Sequence, residues 1–196
     1  DSIILDTANL NKVVEIGEDY AIVQPGILYK DFEAETLKHN LLMPTYPASR
    51  GICTVGGMVA NNAGGELNLT YGSLKNFVTE LKVILSDGNE YTISPLTREQ
   101  LGQKVKQKDL EGQVYLQISQ LISQNQQLIE QSKPKVSKNS TGYFIWDVWE
   151  DDQFDLIKLF LGSQGTLGII TQIKFKLVRP NQHQVLLLIK LPDLKQ

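Results

Sequence analysis

Clustered glycines are the feature of this sequence that most directly suggests a binding site. Six of them fall within 22 residues, in a stretch from residue 44 to residue 73 that carries almost no charge. A backbone without side chains can approach a phosphate or a planar ring closely, and successive N–H groups can point at an anion. Glycine count alone fits a nucleotide-binding loop and a pair of tight turns equally well. The six are Gly51, Gly56, Gly57, Gly64, Gly65 and Gly72.

Familiar nucleotide, hydrolase and metal motifs do not occur in the sequence. There is no G-x-x-x-x-G-K-[ST] and no G-x-G-x-x-G, which argues against a P-loop NTPase and a dinucleotide-binding Rossmann unit. A second glycine cluster, residues 162–168, lacks the G-x-S-x-G order of a serine hydrolase. His39 and His183 with the single Cys53 cannot supply a zinc ligand set, so we predict no metal site and interpret both histidines as surface residues.

Composition narrows the class of protein further. The chain has 196 residues, of which 41% are hydrophobic and 21% charged, values typical of an ordinary folded protein. Its net charge of −3 lacks the basic excess of a nucleic-acid binder. No apolar run approaches the roughly 20 residues of a membrane span, and no signal peptide is visible. A single cysteine excludes an intrachain disulfide, and a cytoplasmic location is the simplest prediction.

Apolar patterning predicts an α+β fold, with no internal repeat. Short strands are expected at Ile3–Leu5, Val13–Ile16 and Ala21–Val23, and a surface helix over Leu28–Lys38. Two β-rich runs around Asp87-Gly88 predict a hairpin of Phe77–Leu85 and Glu90–Ile93. Apolar residues recur at helical spacing from Leu110 to Ile129. A helix over Phe154–Leu161, capped by Asp151 and Asp152, precedes a strand over Ile169–Leu177.

Both ends of the chain carry apolar segments that require partners. Residues 2–6 are patterned as a buried strand, and Val185–Leu191 is a strongly apolar strand followed by only five residues. We therefore expect the chain to be a piece of a longer polypeptide.

Taken in order, several motifs resemble those of the FAD-linked oxidases of the vanillyl-alcohol oxidase and p-cresol methylhydroxylase superfamily. The similarity is greatest to the branch that contains D-lactate dehydrogenases and the flavin subunit of glycolate oxidase, and it extends from Ile3 to Arg179. The motifs are Val23-Gln24-Pro25-Gly26, Pro47-Ala48-Ser49, Thr54-Val55-Gly56-Gly57, Asn61-Asn62-Ala63-Gly64-Gly65, Tyr71-Gly72-Ser73, Lys138-Asn139-Ser140-Thr141-Gly142-Tyr143 and Gly162-Ser163-Gln164-Gly165-Thr166-Leu167-Gly168-Ile169-Ile170.

The resemblance implies the FAD-binding domain of the p-cresol methylhydroxylase type, with FAD extended between two subdomains. Residues 1–180 would form a partial domain, mainly the second subdomain, with a mixed sheet and flanking helices. Residues 181–196 would begin a substrate domain. The family's Gly-rich pyrophosphate loop would precede the strand at Ile3–Asp6, so we expect FAD binding by this chain alone to be weak or absent.

The same resemblance assigns cofactor-binding residues. Pro47 and Ser49 would shape the wall near the flavin, and residues 54–57 would donate backbone hydrogen bonds to the pyrophosphate and ribityl region. A further group would line the same cleft or meet the cofactor through backbone and apolar contacts. The full set is Pro47, Ser49, Thr54, Val55, Gly56, Gly57, Asn61, Gly64, Gly65, Tyr71, Gly72, Gly168, Ile169 and Ile170.

Some residues depart from the family pattern. Gln164 stands where an acidic residue is usual, so a role that needs a negative charge is not expected there. Some relatives bind flavin covalently through a cysteine that would align with Ile52. Cys53 lies one place further on, and we interpret it as a packed thiol. The substrate domain would follow Arg179-Pro180, so no catalytic residue is identified.

The implied function is that of an FAD-dependent dehydrogenase that oxidises a 2-hydroxy acid of the D-lactate or glycolate class. Its partners would be this small-molecule substrate and an unidentified electron acceptor, through which it could be peripheral at the inner membrane. The oligomeric state is not predicted. One alternative is a degenerate scaffold module that kept the fold and lost the cofactor. Another is a flavin reductase of the cell-wall precursor type, which uses NADPH; the motifs at 138–143 and 162–170 favour the hydroxy-acid branch.

Overall fold

Short strands and helices alternate along the sequence. The computed structural model describes residues 4–136, 139, 141–181, 183, 185 and 187–189. Two 3₁₀ turns, Leu74–Asn76 and Ile145–Asp147, accompany the regular elements. In chain order these are β1 (Val13–Ile16), β2 (Tyr20–Val23), α1 (Tyr29–Leu37), α2 (Val55–Ala60), α3 (Asn68–Tyr71), β3 (Val78–Ile84), β4 (Glu90–Ile93), β5 (Leu96–Thr97), α4 (Arg98–Lys104), α5 (Leu110–Gln124), α6 (Gln126–Ser132), β6 (Trp149–Glu150), β7 (Gln153–Phe154), α7 (Ile157–Phe160) and β8 (Ile169–Lys176).

The main sheet has five strands in the order β1-β2-β8-β3-β4. Every pairing in it is antiparallel, where the sequence predicted a mixed sheet. β8 occupies the centre: Ile173 lies opposite Val23 of β2 and opposite Leu81 of β3, and all three side chains are fully buried. The α+β class with flanking helices is confirmed.

Aromatic and apolar side chains hold the helices to this sheet. Phe32 of α1 is fully buried, and its ring lies 5.8 Å from that of Phe175 in β8. Burial of apolar surface stabilises the packing of α1 on the sheet by about 25 cal/mol per Å² removed from water. Leu37 is exposed at the end of α1, and Thr36 is the buried residue of that turn. α7 lies against β3.

A small second sheet, ordered β5-β7-β6, joins α4 and α5 to the rest. Thr97 and Gln100 form a reciprocal capping box at the start of α4. Tyr115 of α5 lies 6.0 Å from Phe154 of β7, and Trp149 of β6 meets the same ring edge to face at 5.3 Å. The buried residues of both sheets belong to one continuous hydrophobic cluster.

Several predicted elements form as expected. The hairpin is confirmed, with Gly88 in the left-handed region at φ +80°. The helix at 29–37 and the strands at 13–16, 20–23 and 169–176 lie within a residue or two of their predicted bounds.

The predicted helix from Leu110 to Ile129 is interrupted. Asn125 leaves the helical conformation at φ −122° and separates α5 from α6. Its side-chain Nδ2 donates to the carbonyl of Leu121 at 2.9 Å, a local bond that competes with the helix ladder.

The predicted capping by Asp151 and Asp152 is wrong. Both residues lie in the turn between β6 and β7, where Asp152 pairs with Arg98 on the surface. The helix begins later, at Ile157, and Asp155 Oδ1 accepts from its N–H at 3.0 Å. Phe154, the first residue of the predicted helix, belongs to β7 instead.

The predicted terminal strands do not form in the described residues. Ile4 is 91% exposed, Leu5 is also exposed, and neither pairs with a described strand. Val185 and residues 187–189 are exposed without strand structure. An apolar run needs a neighbouring strand to complete its hydrogen bonds, and no described strand lies beside either segment. Residues 1–3 and the rest of the predicted strand 185–191 lie outside the described residues.

Candidate cofactor-binding site

The first wall of the site is the turn that leads into α2. Thr54 stands before the helix in extended conformation, and its Oγ1 accepts the Gly57 N–H at 3.2 Å, so Thr54 is the N-cap. Gly56 lies against Pro25: an added Cβ would come within 2.5 Å of the proline Cβ, so only glycine fits. Gly57 is exposed, and an added Cβ there would meet only Thr54 Oγ1, at 3.1 Å.

The backbone amides of this turn are already bonded inside the protein. The N–H of Val55 donates to the Ile27 carbonyl at 2.9 Å, and that of Gly56 to the Pro25 carbonyl at 2.7 Å. With Gly57 donating to Thr54, the N–H groups of residues 55–57 have no free valence. Their binding of the pyrophosphate therefore stays a prediction, and Val55 is a fully buried core residue. In the structure described, the turn contributes its shape and the Thr54 hydroxyl.

The second wall is the glycine-rich loop from Gly162 to Gly168. It docks on the end of α2, because the N–H of Gly162 donates to the Val59 carbonyl at 3.2 Å and that of Gln164 to the Ala60 carbonyl at 2.9 Å. Gly162, Gln164 and Gly165 all have positive φ, at 84°, 55° and 76°. Such a run brings a loop back on itself within a few residues. It places Gln164 Nε2 3.1 Å from Asn61 Oδ1, which joins the two walls at one rim.

Between these walls lies a cleft of about 450 Å³. None of its lining residues is charged, and Leu5, Ile169 and Ile170 give it apolar surface. The Gly165 N–H has no acceptor among the described residues, and an added Cβ at Gly165 would meet nothing within 4 Å. The lining residues are Leu5, Thr7, Pro25, Thr54, Gly56, Gly57, Ala60, Gln164, Gly165, Gly168, Ile169 and Ile170.

The structure brings together six of the fourteen predicted cofactor residues in this cleft. They are Thr54, Gly56, Gly57, Gly168, Ile169 and Ile170. Asn61 reaches only the rim, through Gln164.

The other predicted residues lie in two loops outside the lining of the cleft. Pro47 and Ser49 shape a turn: the Pro47 carbonyl accepts from Arg50, and the Ser49 carbonyl accepts from Cys53 at 3.0 Å. In the second loop, the Gly65 N–H donates to Asn68 Oδ1 at 3.0 Å. Gly64 belongs to the same loop, Tyr71 is the last residue of the short helix α3 that follows, and the carbonyl of the next residue, Gly72, accepts from the Thr45 hydroxyl at 3.3 Å.

Sequence reasoning left several cleft residues out of the predicted site. Pro25, Gln164 and Gly165 belong to quoted motifs, so their signal was available. Leu5 and Thr7 gave no signal, because the apolar pattern at the start of the chain indicated only a strand.

A hydroxyl pair links the motif at 138–143 to the second wall. Tyr143 Oη lies 2.8 Å from Thr166 Oγ1, and Thr166 in turn donates to the Ser163 carbonyl at 2.6 Å. These bonds fix the loop just before Gly168, so Tyr143 supports the cleft from outside. Residues 138 and 140 of that motif lie outside the described residues.

The remaining candidate residues are accounted for by their surroundings. His39 and His183 are exposed. Burial raises the pKa of the Cys53 thiol above its usual value, and its partly buried side chain packs against the core. In the part of the chain that the structure describes, no group of three or more His, Cys, Asp or Glu residues could hold a metal ion. No described helix has both the length and the apolar character to span a membrane.

Comparisons with known proteins bear on this cleft. Residues 1–94 match the family model described as "FAD binding domain". The chain is 28% identical to D-2-hydroxyglutarate dehydrogenase of Escherichia coli, over 90% of the chain and 18% of that protein. It is 28% identical to glycolate oxidase subunit GlcD of Bacillus subtilis, over 94% of the chain and 29% of that protein. It is 26% identical to D-lactate dehydrogenase of Archaeoglobus fulgidus, over 100% of the chain and 33% of that protein.

A solved structure shares the fold. Alkyldihydroxyacetonephosphate synthase superposes on 91% of the chain with a TM-score of 0.56 and 20% identity, using 23% of its own chain. The chain spans about a fifth to a third of the length of the three relatives. The match of residues 1–94 to the FAD binding domain model indicates FAD as the cofactor, and the chain shares the fold of alkyldihydroxyacetonephosphate synthase.

Proposed function

We propose that the cleft between the Thr54–Ala60 turn and the Gly162–Gly168 loop holds FAD, in a protein that oxidises a small 2-hydroxy acid. The observation that carries the proposal is the meeting of two glycine-rich walls, joined by Asn61 and Gln164, around an uncharged cleft. The names of the relatives supply the substrate class, because 2-hydroxyglutarate, glycolate and lactate are all 2-hydroxy acids.

The lining of the cleft fits a dinucleotide in shape and polarity. Gly57 and Gly165 leave open backbone where any side chain would project. The free N–H of Gly165 and the hydroxyl groups of Thr7 and Thr54 are hydrogen-bond donors for phosphate or ribityl oxygens. Ile169 and Ile170 offer an apolar surface to a ring. No cation lines the cleft, so its described part would meet phosphate charge through dipoles alone.

When bound, FAD supplies the acceptor for the hydride equivalent that leaves the carbon bearing the substrate hydroxyl. The residues of this chain bind and orient it. The cap on α2 fixes the first wall, and the Tyr143–Thr166 pair fixes the second. Leu5, Ile169 and Ile170 exclude water from the face they cover.

The proposal extends to regions that flank the cleft. Pro47, Ser49, Gly64, Gly65, Tyr71 and Gly72 shape an adjoining wall, and Asn61 lies at the rim between them and the cleft. Residues 1–180 form an FAD-binding domain, and residues 181–196 begin a substrate domain. The reaction takes place in the cytoplasm and passes electrons to a separate acceptor.

Flavin uptake tests this function. The chain, and a longer polypeptide that contains it, are titrated with FAD and followed by quenching of flavin fluorescence. We expect saturable binding, stronger in the longer polypeptide, and anaerobic bleaching of its flavin absorbance by D-lactate, glycolate or D-2-hydroxyglutarate. A flavin band that no 2-hydroxy acid bleaches would refute the substrate class. Colourless, folded protein in both cases would refute the cofactor site.

Colourless, folded protein in both titrations would favour a scaffold module that kept the fold and lost the cofactor. Gln164 is the observation behind this alternative, since its side chain bonds to Asn61 within the protein and it replaces a residue that is usually acidic in the family.

A further inference from the structure

Two β-bulges interrupt the pairing of β3 with β8, and each inserts a threonine. Thr79 is the extra residue of β3 towards one end of the ladder, and Thr171 is the extra residue of β8 towards the other. Each hydroxyl faces a carbonyl of the opposite strand: Thr79 Oγ1 donates to the Lys174 carbonyl at 3.2 Å, and Thr171 Oγ1 lies 3.3 Å from the Lys82 carbonyl. The bulge at Thr171 adjoins the cofactor cleft, because Ile170, the residue before it, lines the cleft.

The bulge beside the cleft decides which of two isoleucines faces the core. Residues that lie opposite one another in an antiparallel pair share a face of the sheet. Ile170 lies opposite the fully buried Val83 and packs against the core, whereas Ile169 lies opposite Ile84 and is 39% exposed. Strict alternation from the buried Ile173 would turn residue 169 inward and residue 170 outward, because a shift of one residue exchanges the two faces. The extra residue therefore sets how β8 presents both isoleucines to the cleft that they line.

A carboxylate from the edge of the sheet holds this bulge. Glu90 is the first residue of β4, and its side chain reaches across β3 to place Oε1 2.5 Å from Thr171 Oγ1. A hydroxyl has one proton to donate, and here the charged carboxylate is a nearer acceptor than the Lys82 carbonyl. Hydrogen bonds to a carboxylate are stronger than those between neutral groups. Among the described residues, the Thr79 hydroxyl bonds only to a neutral carbonyl, so the bulge beside the cleft is the more firmly held of the two.

We propose that Thr171 and Glu90 are positioning residues of the cofactor cleft. Their hydrogen bond keeps the bulge formed, and the bulge turns Ile170 to the core and leaves Ile169 on the open side, in the arrangement that receives FAD. Neither Thr171 nor Glu90 lines the cleft, so both act through the two isoleucines. Bulges beside functional sites re-aim side chains in this way. The role rests on the proposed function, because it requires FAD to occupy the cleft.

The test is FAD titration of the longer polypeptide, followed by quenching of flavin fluorescence, with urea unfolding of each variant. Thr171→Val removes the hydroxyl with little change of shape, and Thr171→Ser keeps it. Thr79→Val is the matched control, because it removes the same group from the other bulge of the same two strands. Glu90→Ala removes the acceptor at an exposed position of the edge strand and leaves the core intact; Thr92→Ala, at another exposed position of that strand, is its control.

We expect Thr171→Val and Glu90→Ala each to weaken FAD binding about fivefold, the size of one hydrogen bond, and Thr171→Ser and both controls to stay within about twofold of wild type. This difference should hold even where Thr79→Val lowers the stability as much as Thr171→Val does. Wild-type FAD affinity in Thr171→Val or Glu90→Ala, an equal loss in Thr79→Val, or failure of Thr171→Ser to keep the affinity would overturn the positioning role and leave FAD as the cofactor. Absence of FAD uptake by the wild-type protein would overturn the proposed function and this role together.

Discussion

Replacing Gly57 by leucine tests the shape of the cleft separately from the stability of the fold. Gly57 lies in the first turn of α2 and lines the cleft, and its N–H donates to the Thr54 cap. An added side chain meets only Thr54 Oγ1, at 3.1 Å, before it enters the cavity. The isobutyl group therefore occupies space that we assign to FAD.

The expected effects have different sizes. A helical glycine costs roughly 0.5–1 kcal/mol relative to a better helix former, so Gly57→Leu gains about that much. The small shift of Thr54 Oγ1 offsets part of the gain, which leaves the free energy of unfolding within about 1 kcal/mol of wild type. Intrusion into a cleft of about 450 Å³ should weaken FAD binding at least about tenfold, or about 1.4 kcal/mol.

Two further variants complete the experiment. Gly102→Leu places the same side chain on exposed α4, where nothing lies within 4 Å of the added Cβ, and should leave FAD binding unchanged. Gly56→Ala drives a Cβ to 2.5 Å from Pro25 and should destabilise the fold by about 1–3 kcal/mol. Urea unfolding and FAD titration measure both properties. Wild-type FAD affinity in a folded Gly57→Leu protein would refute the position of the cofactor.

Three more substitutions or reactions test individual contacts. Thr54→Ala removes the cap of α2 and should cost about 1 kcal/mol in urea unfolding, which Thr54→Ser largely restores; equal stability of all three proteins contradicts the cap. Tyr143→Phe removes the 2.8 Å bond to Thr166 and should weaken FAD binding severalfold with a stability loss below about 1 kcal/mol; unchanged FAD affinity argues against support of the loop. Because burial raises the pKa of Cys53, its thiolate fraction at pH 8 is below that of free cysteine, so iodoacetamide should react more slowly with the folded chain than with the urea-unfolded chain; equal rates would exclude the shift.

Elements with a clear apolar period were predictable from the sequence, and their exact ends were not. The hairpin at 78–93 has both a turn dipeptide and alternating strands, and it forms as predicted. Helix ends depend on which of several nearby polar side chains takes the cap. At α7 it is Asp155 whose Oδ1 accepts from the Ile157 N–H, although Asp151 and Asp152 satisfy the same local rule.

The site was predictable as a set of motifs but not as a set of hydrogen bonds. Residues 54–60 and 162–170 are distant in the chain, and only their resemblance to a family linked them before the structure did. The fate of each amide depends on the neighbouring backbone: the Ile27 and Pro25 carbonyls take the N–H groups of Val55 and Gly56. No local pattern reports such tertiary acceptors.

The place of β8 at the centre of the sheet decides where this fold can be cut. The family match ends at residue 94, after β4, yet β2 and β3 do not pair with each other; each pairs with β8, which lies between them. A protein truncated after residue 94 would expose two unpaired strand edges and invite aggregation. The pairing of β2 with residues about 150 positions later also makes the sheet rich in long-range contacts, which slows folding. The smallest independently folding unit must therefore extend at least to Lys176, almost twice as far as the family match.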